Sequence, residues 1–255
     1  MRFVLLLCYL LGYPLAQALH LGIPEAEEVP VRAVERLRVA GGKVKVQQRL
    51  LRRPTFEVDF WGSAKDFARV TQLKSARTIV LDGRAVTDVH LEHLIGLKQL
   101  EVLELHDTFV SDSGLARLNK LTQLREVHWA LGWSVTDRGL SELGKLKNLE
   151  SLSVTQVTRA SDAWLKDLKG LVKLRKLDVE RMAITDRGVE LLSRLPALEY
   201  LDLSETSVTD GCLRHLQKMR KLRFVSLANT EVTARALQVF RQERPDVRIE
   251  FYGEE

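Results

Sequence analysis

A repeat of 24 or 25 residues constrains the fold of this chain more than any other feature of its sequence. The stretch from Leu198 to Leu216 belongs to one copy, and seven copies begin in the same phase. Their first residues are Ala76, Leu100, Leu124, Leu149, Leu174, Leu198 and Leu222. One unit of this length cannot bury an apolar face by itself, so neighbouring units must stack into a continuous core. The repeat therefore predicts one elongated solenoid domain.

Two apolar periods follow one another within each unit, whose consensus is Leu-x-x-Leu-x-Leu-x-x-Thr-x-Val-Thr-Asp-x-Gly-Leu-x-x-Leu-x-x-Leu-x-x. The first half alternates, as Leu201 and Leu203 do, which indicates a short strand. The second half has leucines three residues apart, as at Leu115, Leu118 and Leu121, which indicates a helix. We therefore expect an α/β horseshoe with parallel strands on the concave face and helices on the convex face.

The turn between strand and helix carries an aliphatic residue, a hydroxyl residue and an aspartate. Five copies of this triplet begin at Val86, Val110, Val135, Ile184 and Val208. The hydroxyl suits a helix N-cap, whose loss costs about 1 kcal/mol, and the carboxylate suits the positive end of the helix dipole. Five equivalent copies along one edge predict a structural ladder of carboxylates rather than a catalytic or metal site.

With these residues in place, the unit resembles the leucine-rich repeats of secreted or uncharacterised proteins from planctomycete-type bacteria. Those repeats are similar in turn to the cysteine-containing repeats of F-box/leucine-rich-repeat proteins. The resemblance covers roughly residues 33–251, and the departures from the pattern, such as Ala76 and Thr233-Ala234, lie in terminal units. It implies a leucine-rich-repeat solenoid that acts as a binding scaffold, without catalytic residues.

The N-terminus has the order of a secretory signal, with Met1-Arg2, an apolar run and the small-x-small site Ala16-Gln-Ala18. We expect a signal peptide over residues 1–18, a linker over residues 19–28, and export to the periplasm or the extracellular space. After signal removal we expect no membrane association. The alternative is a protein anchored in the membrane by an uncleaved N-terminal segment.

The repeats are expected to be closed at both ends. An N-terminal cap over residues 29–75 would contain a helix, a hairpin and a degenerate repeat, because residues 43–46 and 56–60 alternate around a basic run. Val58 and Phe60 have the phase of Ile79 and Leu81 in the next unit. The seven repeats would occupy residues 76–245, and a capping strand and tail would occupy residues 246–255.

The distribution of charge decides which partners are plausible. The chain has a formal net charge of +5 and a pI near 9.2, which raises nucleic acid as a partner. However, the strand positions that face away from the core are mainly acidic. These acids are Asp82, Glu104, Asp107, Glu126, Asp178, Glu180, Asp202 and Glu205, against Lys176 and Arg181. The basic residues fall in the helices and the turns that leave them, so we expect no nucleic-acid groove.

Position 2 of the repeat alternates in sign along the whole array, in the order Arg77, Glu101, Arg125, Glu150, Arg175, Glu199 and Arg223. In a parallel stack, position 2 of one unit lies beside position 2 of the next. The alternation therefore predicts a row of opposite charges that favours the correct register of the repeats.

The candidate partner-binding residues are those that vary between units. Each of the two 25-residue units carries one extra residue, within 129–134 and within 155–160, which predicts a raised patch containing Leu131, Trp133 and Arg159; local drift in repeat length is the alternative. Exposed tryptophan is enriched where partners bind. A second surface is expected on the concave face, formed by Tyr200, Phe224, Glu180, Asp202 and Glu205. His106 and His128 lack a firm third ligand for a metal.

Taken together, these patterns favour a noncatalytic protein–protein interaction scaffold that binds through its concave face and strand-end rim. We expect a monomer with a protein partner and no cofactor, metal or catalytic residue. The chain has no glycine-rich phosphate loop or nucleophile elbow, and its two cysteines form no framework. The alternatives are a substrate-receptor subunit of a ubiquitin-ligase-like complex, and a carbohydrate-binding or enzymatic accessory protein.

Overall fold

The protein is described by a computed structural model over residues 42–47, 55–60 and 67–252. These residues form one sheet of ten strands whose spatial order equals their order in the chain. The strands are β1 Gly42–Gln47, β2 Thr55–Phe60, β3 Thr78–Asp82, β4 Val102–His106, β5 Glu126–Ala130, β6 Ser151–Thr155, β7 Lys176–Asp178, β8 Tyr200–Asp202, β9 Phe224–Ser226 and β10 Arg248–Glu250. From β2 to β10 every pairing is parallel. The chain is therefore an α/β leucine-rich-repeat solenoid, as the periodicity predicted.

Helices return the chain from the end of one strand to the start of the next. The α-helices are α1 Asp88–Leu94, α2 Asp112–Leu118, α3 Asp137–Ser141, α4 Asp186–Leu192, α5 Leu213–Leu216 and α6 Ala234–Glu243. Four segments are instead 3₁₀-helical, at Ala68–Gln72, Glu142–Lys145, Asp162–Gly170 and Asp210–Cys212. A 3₁₀ helix rises about 2.0 Å per residue, against about 1.5 Å for an α-helix, so it spans the return with fewer residues.

The first two strands form the expected hairpin, since β1 pairs antiparallel with β2. β2 then joins the parallel array with Val58 opposite Ile79 and Phe60 opposite Leu81, which is the register that their common phase predicted. The predicted signal peptide, linker and cap helix lie outside the described residues. Within residues 67–252 and the two described strands, no helix has the length and apolar character needed to cross a membrane.

The core is a continuous stack of aliphatic side chains between the sheet and the helices. In the unit that begins at Leu198, the strand residues Leu201 and Leu203 and the turn residue Val208 are fully buried. Trp129 was expected to be buried and is 1% exposed. Burial raises the pKa of the Cys212 thiol to about 12, so this cysteine is a packing residue rather than a nucleophile.

The turn aspartates join successive repeats. The sequence predicted only that each would interact with the dipole of its own helix. The Asp88 carboxylate accepts hydrogen bonds from the backbone N–H of Ser111 (2.7 Å) and from its hydroxyl (2.6 Å). The same pair of bonds recurs between Asp112 and Thr136, Asp137 and Ser161, Asp162 and Thr185, Asp186 and Thr209, and Asp210 and Thr233. Asp162 extends the ladder to a turn outside the five quoted triplets.

Each capping hydroxyl thus serves two repeats at once. The Ser111 hydroxyl donates to Asp88 and accepts from the N–H of Ser113 in its own helix, at 3.1 Å. The helix N-caps predicted from the sequence are present, and from Ser111 onward each is oriented by the carboxylate of the preceding repeat, whereas the N–H of Thr87 donates to His90 Nδ1 in its own helix. Glycine at Gly188 permits this approach, because a Cβ there would overlap the Asp162 carboxylate and lie 2.8 Å from Ile184 Cγ2.

The charge row at position 2 is present, but its salt bridges are discrete pairs. Arginine Nη and glutamate Oε atoms lie 2.8 Å apart in Arg77–Glu101, 2.7 Å apart in Arg125–Glu150 and 2.8 Å apart in Arg175–Glu199. Each arginine therefore bonds to the glutamate of the following repeat. Within the described residues, no salt bridge links a glutamate of this row to the next arginine. Each salt bridge therefore favours the correct register between the two repeats that it joins.

Arg244 closes the C-terminal end of the helix layer. Its guanidinium donates to the carbonyl oxygens of Leu216, Gln217, Met219 and Leu222, at 3.2 to 3.4 Å, and its side chain is only 13% exposed. The same guanidinium lies 2.9 Å from Asp246 and holds the pKa of that carboxyl at about 2. A single arginine thus satisfies carbonyl groups that a further repeat would otherwise cover.

The aspartate ladder makes a testable contribution to stability. Asp186→Ala removes two charge-assisted hydrogen bonds to Thr209, and we expect it to lower the free energy of unfolding by about 2 to 3 kcal/mol. Urea denaturation followed by circular dichroism measures the loss. Asp167→Ala, which removes an acid outside the ladder, is the matched control and should change stability by less than about 0.5 kcal/mol. Equal losses in the two variants would contradict the bridging role.

The position 2 row predicts a charge-specific effect. Glu150→Arg breaks the bond to Arg125 and places like charge beside both Arg125 and Arg175, so we expect a lower melting temperature. Glu231→Arg is the control, because Glu231 is exposed and forms no salt bridge within the described chain. The difference between the variants should shrink in 1 M salt, where the Debye length is about 3 Å. A difference that persists in 1 M salt would contradict the electrostatic explanation.

Candidate functional site

An open groove runs across the concave face of the sheet between β4 and β7. Its volume is about 320 Å³, and its floor is made by strand residues that alternate with the buried leucines. Besides Trp129 and Ala130 the lining side chains are polar, and three of these seven are acidic: Glu104, His106, His128, Ser153, Thr155, Asp178 and Glu180. Because these positions point away from the core, they can vary without disturbing the fold. The groove is therefore an accessible depression on the concave face, lined by polar side chains that could contact a ligand.

A cluster of four carboxylates begins at the C-terminal side of the groove, where Asp178 and Glu180 line it, and continues to Asp202 and Glu205 on the next repeat. Asp178 on β7 lies opposite Asp202 on β8 in the register of the sheet. Asp178 accepts from the Ser153 hydroxyl at 2.9 Å and from the N–H of Glu180 at 3.0 Å. Asp202 accepts from the hydroxyl of Ser204 at 2.6 Å. These bonds orient the two aspartates, whereas Glu180 and Glu205 both pair with Arg181.

Arg181 sets the charge balance of this cluster. It forms a bidentate pair with Glu205, at 2.7 and 2.8 Å, and this bond lowers the pKa of Glu205. The pKa of Glu180 is raised, first by burial and then by the negative charges of the neighbouring acids, against the attraction of Arg181. Two adjacent carboxyls are thus shifted in opposite directions by one guanidinium and by burial.

Tyr200 and Phe224 form a stacked aromatic pair on β8 and β9. Their ring centroids are 4.6 Å apart and their planes differ by 6°. Phe224 also lies under the guanidinium of Arg248, 5.8 Å from its ring centroid. In register, Lys176 is opposite Tyr200, so cationic residues flank the aromatic pair on both neighbouring strands. The two residues predicted as a concave aromatic surface are therefore brought together, although Arg248 covers part of it.

Trp133 lies at the rim where the strands end, and it is 46% exposed. Its indole N–H donates to Asp107 at 2.6 Å, and Arg84 lies 5.0 Å above its ring. Arg84 also donates to Asp107 at 3.2 Å. The bond from Trp133 is the main reason that the pKa of Asp107 is lowered. The tryptophan is thus held in one orientation by two residues from the two preceding repeats.

The raised patch predicted from the two long units is not joined by side-chain contacts. Leu131 is half-buried and Arg159 is exposed. Trp133 turns towards Arg84 and Asp107, and within the described residues no hydrogen bond, ion pair or ring contact links it to Arg159. Phe109, also 46% exposed, lies on the neighbouring segment, since Ser111 pairs with Ser134.

Sequence reasoning missed the geometry of position 8, where every strand ends. This position has positive φ at Asp107, Leu131, Gln156, Arg181, Glu205 and Asn229, with values from 48° to 59°. Left-handed backbone is costly for residues other than glycine, and the only visible signals were Gly83 and Asn229 at the equivalent positions. Arg181 and Glu205 therefore meet because both leave the sheet through the same left-handed turn.

The two histidines line the groove. His106 Nε2 lies 3.3 Å from Glu104 Oε2, and His128 Nε2 lies 3.6 Å from Glu126 Oε2. Among the described residues, no group of three or more histidine, cysteine, aspartate or glutamate side chains is arranged to hold a metal ion. The histidines and acids of the groove therefore offer hydrogen bonds and charge to a ligand.

Comparison with known proteins identifies a structural likeness only. No protein-family model matches the sequence, and no curated protein matches it either. The fold is similar to the crystal structure of internalin C2 from Listeria monocytogenes, with 17% sequence identity and a TM-score of 0.47. The matched region covers 74% of this chain and 84% of that chain.

The role of Arg181 can be tested by titration. In Arg181→Ala, we expect the pKa of Glu205 to rise because its bidentate partner is lost, and that of Glu180 to rise further because an attractive charge is removed. Carboxyl-carbon NMR as a function of pH measures both values. Arg187→Ala, which removes an arginine paired with Glu190 on α4, should leave both values unchanged. Unchanged values in Arg181→Ala would contradict the assignment.

Proposed function

We propose that this protein is a noncatalytic scaffold that binds a protein partner on its concave face. The observation that carries the proposal is the contrast between the two sides of each strand. The inward strand positions stay buried and apolar in every unit, and are aliphatic except at Trp129, whereas the outward positions change in charge, polarity and size from unit to unit. Variation confined to one accessible face is typical of a surface that reads a specific partner.

The chemistry of that face also favours binding over catalysis. The Cys212 thiol is buried with its pKa raised to about 12, so it is not an activated nucleophile. Asp178 accepts a hydrogen bond from the N–H of Glu180, and Glu205 accepts from Arg181, so these acids already have partners within the protein. A cleft with oriented acids and an aromatic pair suits recognition of polar and basic side chains.

The aromatic pair and the rim tryptophan are the anchors that we assign to this interface. Tyr200 and Phe224 are half-buried and stack on each other, and Trp133 presents an exposed indole that is already oriented by Asp107. Rigid aromatic residues lose little conformational entropy on binding, so they contribute strongly when a partner covers them. The interface would extend from β8 and β9 across the groove to the strand-end rim.

Site-specific photocrosslinking in the producing cells tests this function. A photoreactive phenylalanine analogue in place of Ser153, on the concave face, should yield a discrete crosslinked protein; the same analogue in place of Lys166, on the helix side, should not. Tyr200→Ala and Trp133→Ala should each weaken the recovered complex by about tenfold, since truncating an anchor costs more than about 1 kcal/mol. Crosslinking from both faces to the same proteins would contradict the proposal.

A further inference from the structure

The turns that lead from each helix into the next strand form a second charged surface, remote from the acidic groove. Six of these turns, residues 95–99, 119–123, 144–148, 169–173, 193–197 and 217–221, contain ten lysine or arginine residues and no acid. The chain as a whole holds 39 basic and 34 acidic residues. A complete exclusion of acids from six consecutive turns is therefore a strong bias at one place in the repeat.

The structure stacks these turns directly on one another. The side chain of Gln123 donates to the Leu97 carbonyl of the preceding turn at 2.9 Å, and Asn148 donates to the Thr122 carbonyl at 2.8 Å. Lys173 then donates to the Asn148 side chain at 2.7 Å. The first four turns are thus bonded each to the one before it, and the parallel pairing of β7, β8 and β9 places the last two turns next in the stack, so the cations of all six follow one edge of the solenoid. We call this surface, defined by the six turns, the basic edge.

The charge of the basic edge is mostly uncompensated. Lys98, Lys120, Lys147, Lys173 and Lys221 are all exposed. Among the ten cations, salt bridges within the described residues involve only Lys145 with Glu142 and Arg194 with Glu190. Lys147 and Lys173 donate to neutral oxygens, which leaves their positive charge in place. The edge is thus a row of free cations held by a rigid backbone.

The dimensions of the basic edge suit a linear anion. Neighbouring parallel strands are spaced by about 4.8 Å, so six stacked turns extend over roughly 25 Å. On one side the row borders the concave face, where Glu126, Asp178 and Asp202 lie on the strands that follow these turns. A bilayer or a duplex presents a broad anionic surface that would come within a Debye length, about 10 Å at 0.1 M salt, of those acids. A single anionic chain can follow the row without meeting them, and the acids that directly follow three of the turns, Glu101, Glu150 and Glu199, are each paired with an arginine.

The side chains of the edge distinguish between single anionic chains. Proteins that bind single-stranded nucleic acid combine basic grooves with aromatic residues on which bases stack. The six turns contain no phenylalanine, tyrosine or tryptophan, and lysine outnumbers arginine there. Lysine acts as a point charge for carboxylate or sulfate without demanding planar partners. We propose that the basic edge binds a linear acidic polysaccharide, whose charges recur along a chain without bases.

The test measures anisotropy of a fluorescein-labelled, heparin-derived octasaccharide titrated with the full chain. The variant Lys147→Glu/Lys173→Glu/Lys221→Glu reverses three exposed cations of the edge, and we expect its affinity to fall at least 30-fold. The control Arg138→Glu/Lys166→Glu/Arg241→Glu reverses three exposed cations of the helix layer, with the same change in net charge. We expect its affinity to fall less than threefold. Equal losses in both would show a net-charge effect and overturn the proposal.

Two further arms separate this ligand from other anions and from failure to fold. A 20-nucleotide oligothymidine and vesicles of phosphatidylserine and phosphatidylcholine should bind at least tenfold more weakly at the same ionic strength; equal or tighter binding to either overturns the assignment to polysaccharide. Circular dichroism checks that the glutamate variant is folded. If it is not, the neutral variant Lys147→Gln/Lys173→Gln/Lys221→Gln, which removes the three charges without reversing them, takes its place. Unchanged affinity in this folded neutral variant would overturn the proposal. Tyr200→Ala should bind the octasaccharide normally, so this result is independent of the concave-face function.

Discussion

The paired hydrogen bonds from one repeat's aspartate to the next repeat's capping residue are the interaction on which this structure depends. Each carboxylate accepts from a backbone N–H and a hydroxyl of the following turn, as Asp186 does from Thr209. The capping hydroxyl in turn holds the first turn of its own helix, so stacking and helix initiation are one event. Gly188 and its equivalents keep this contact free of side chains. Because each repeat touches mainly its neighbours, stability is a sum of such interfaces.

Because the aspartate bonds hold the repeats together at the turns, the inward and outward residues of the strands have different roles. The inward residues pack a continuous aliphatic core, and the outward residues form a groove whose acids are oriented by local hydrogen bonds. The turns before the strands carry the opposite charge, and their stacking is independent of the groove. One rigid array thus presents an acidic face and a basic edge, and we propose a protein partner for the first and a linear acidic polysaccharide for the second.

Most of the fold could be predicted from the sequence, because leucine spacing encodes burial directly. The parallel order of strands, the helix caps and the opposition of Arg125 to Glu150 all follow from a residue's position within the unit. The candidate site was predicted only in outline. Tyr200 and Phe224 share a position in adjacent units, so their contact was foreseeable. Trp133 was expected to be exposed. Its hydrogen bond to Asp107 and its ring contact with Arg84 depend on the left-handed backbone at Asp107, which the repeat pattern did not predict.

The sequence by itself determined the architecture, since a short repeat with one apolar stripe has only one way to bury that stripe: by stacking on copies of itself. It also determined which positions are structural, because those positions recur. Only the tertiary structure decided how the remaining residues combine. The pairing of Arg181 with Glu205, the opposite pKa shifts of Glu180 and Glu205, and the alignment of lysine and arginine residues from six turns all depend on contacts between repeats. The residues that meet are about one repeat apart in the chain, and the pattern of a single unit does not predict the backbone geometry that brings them together.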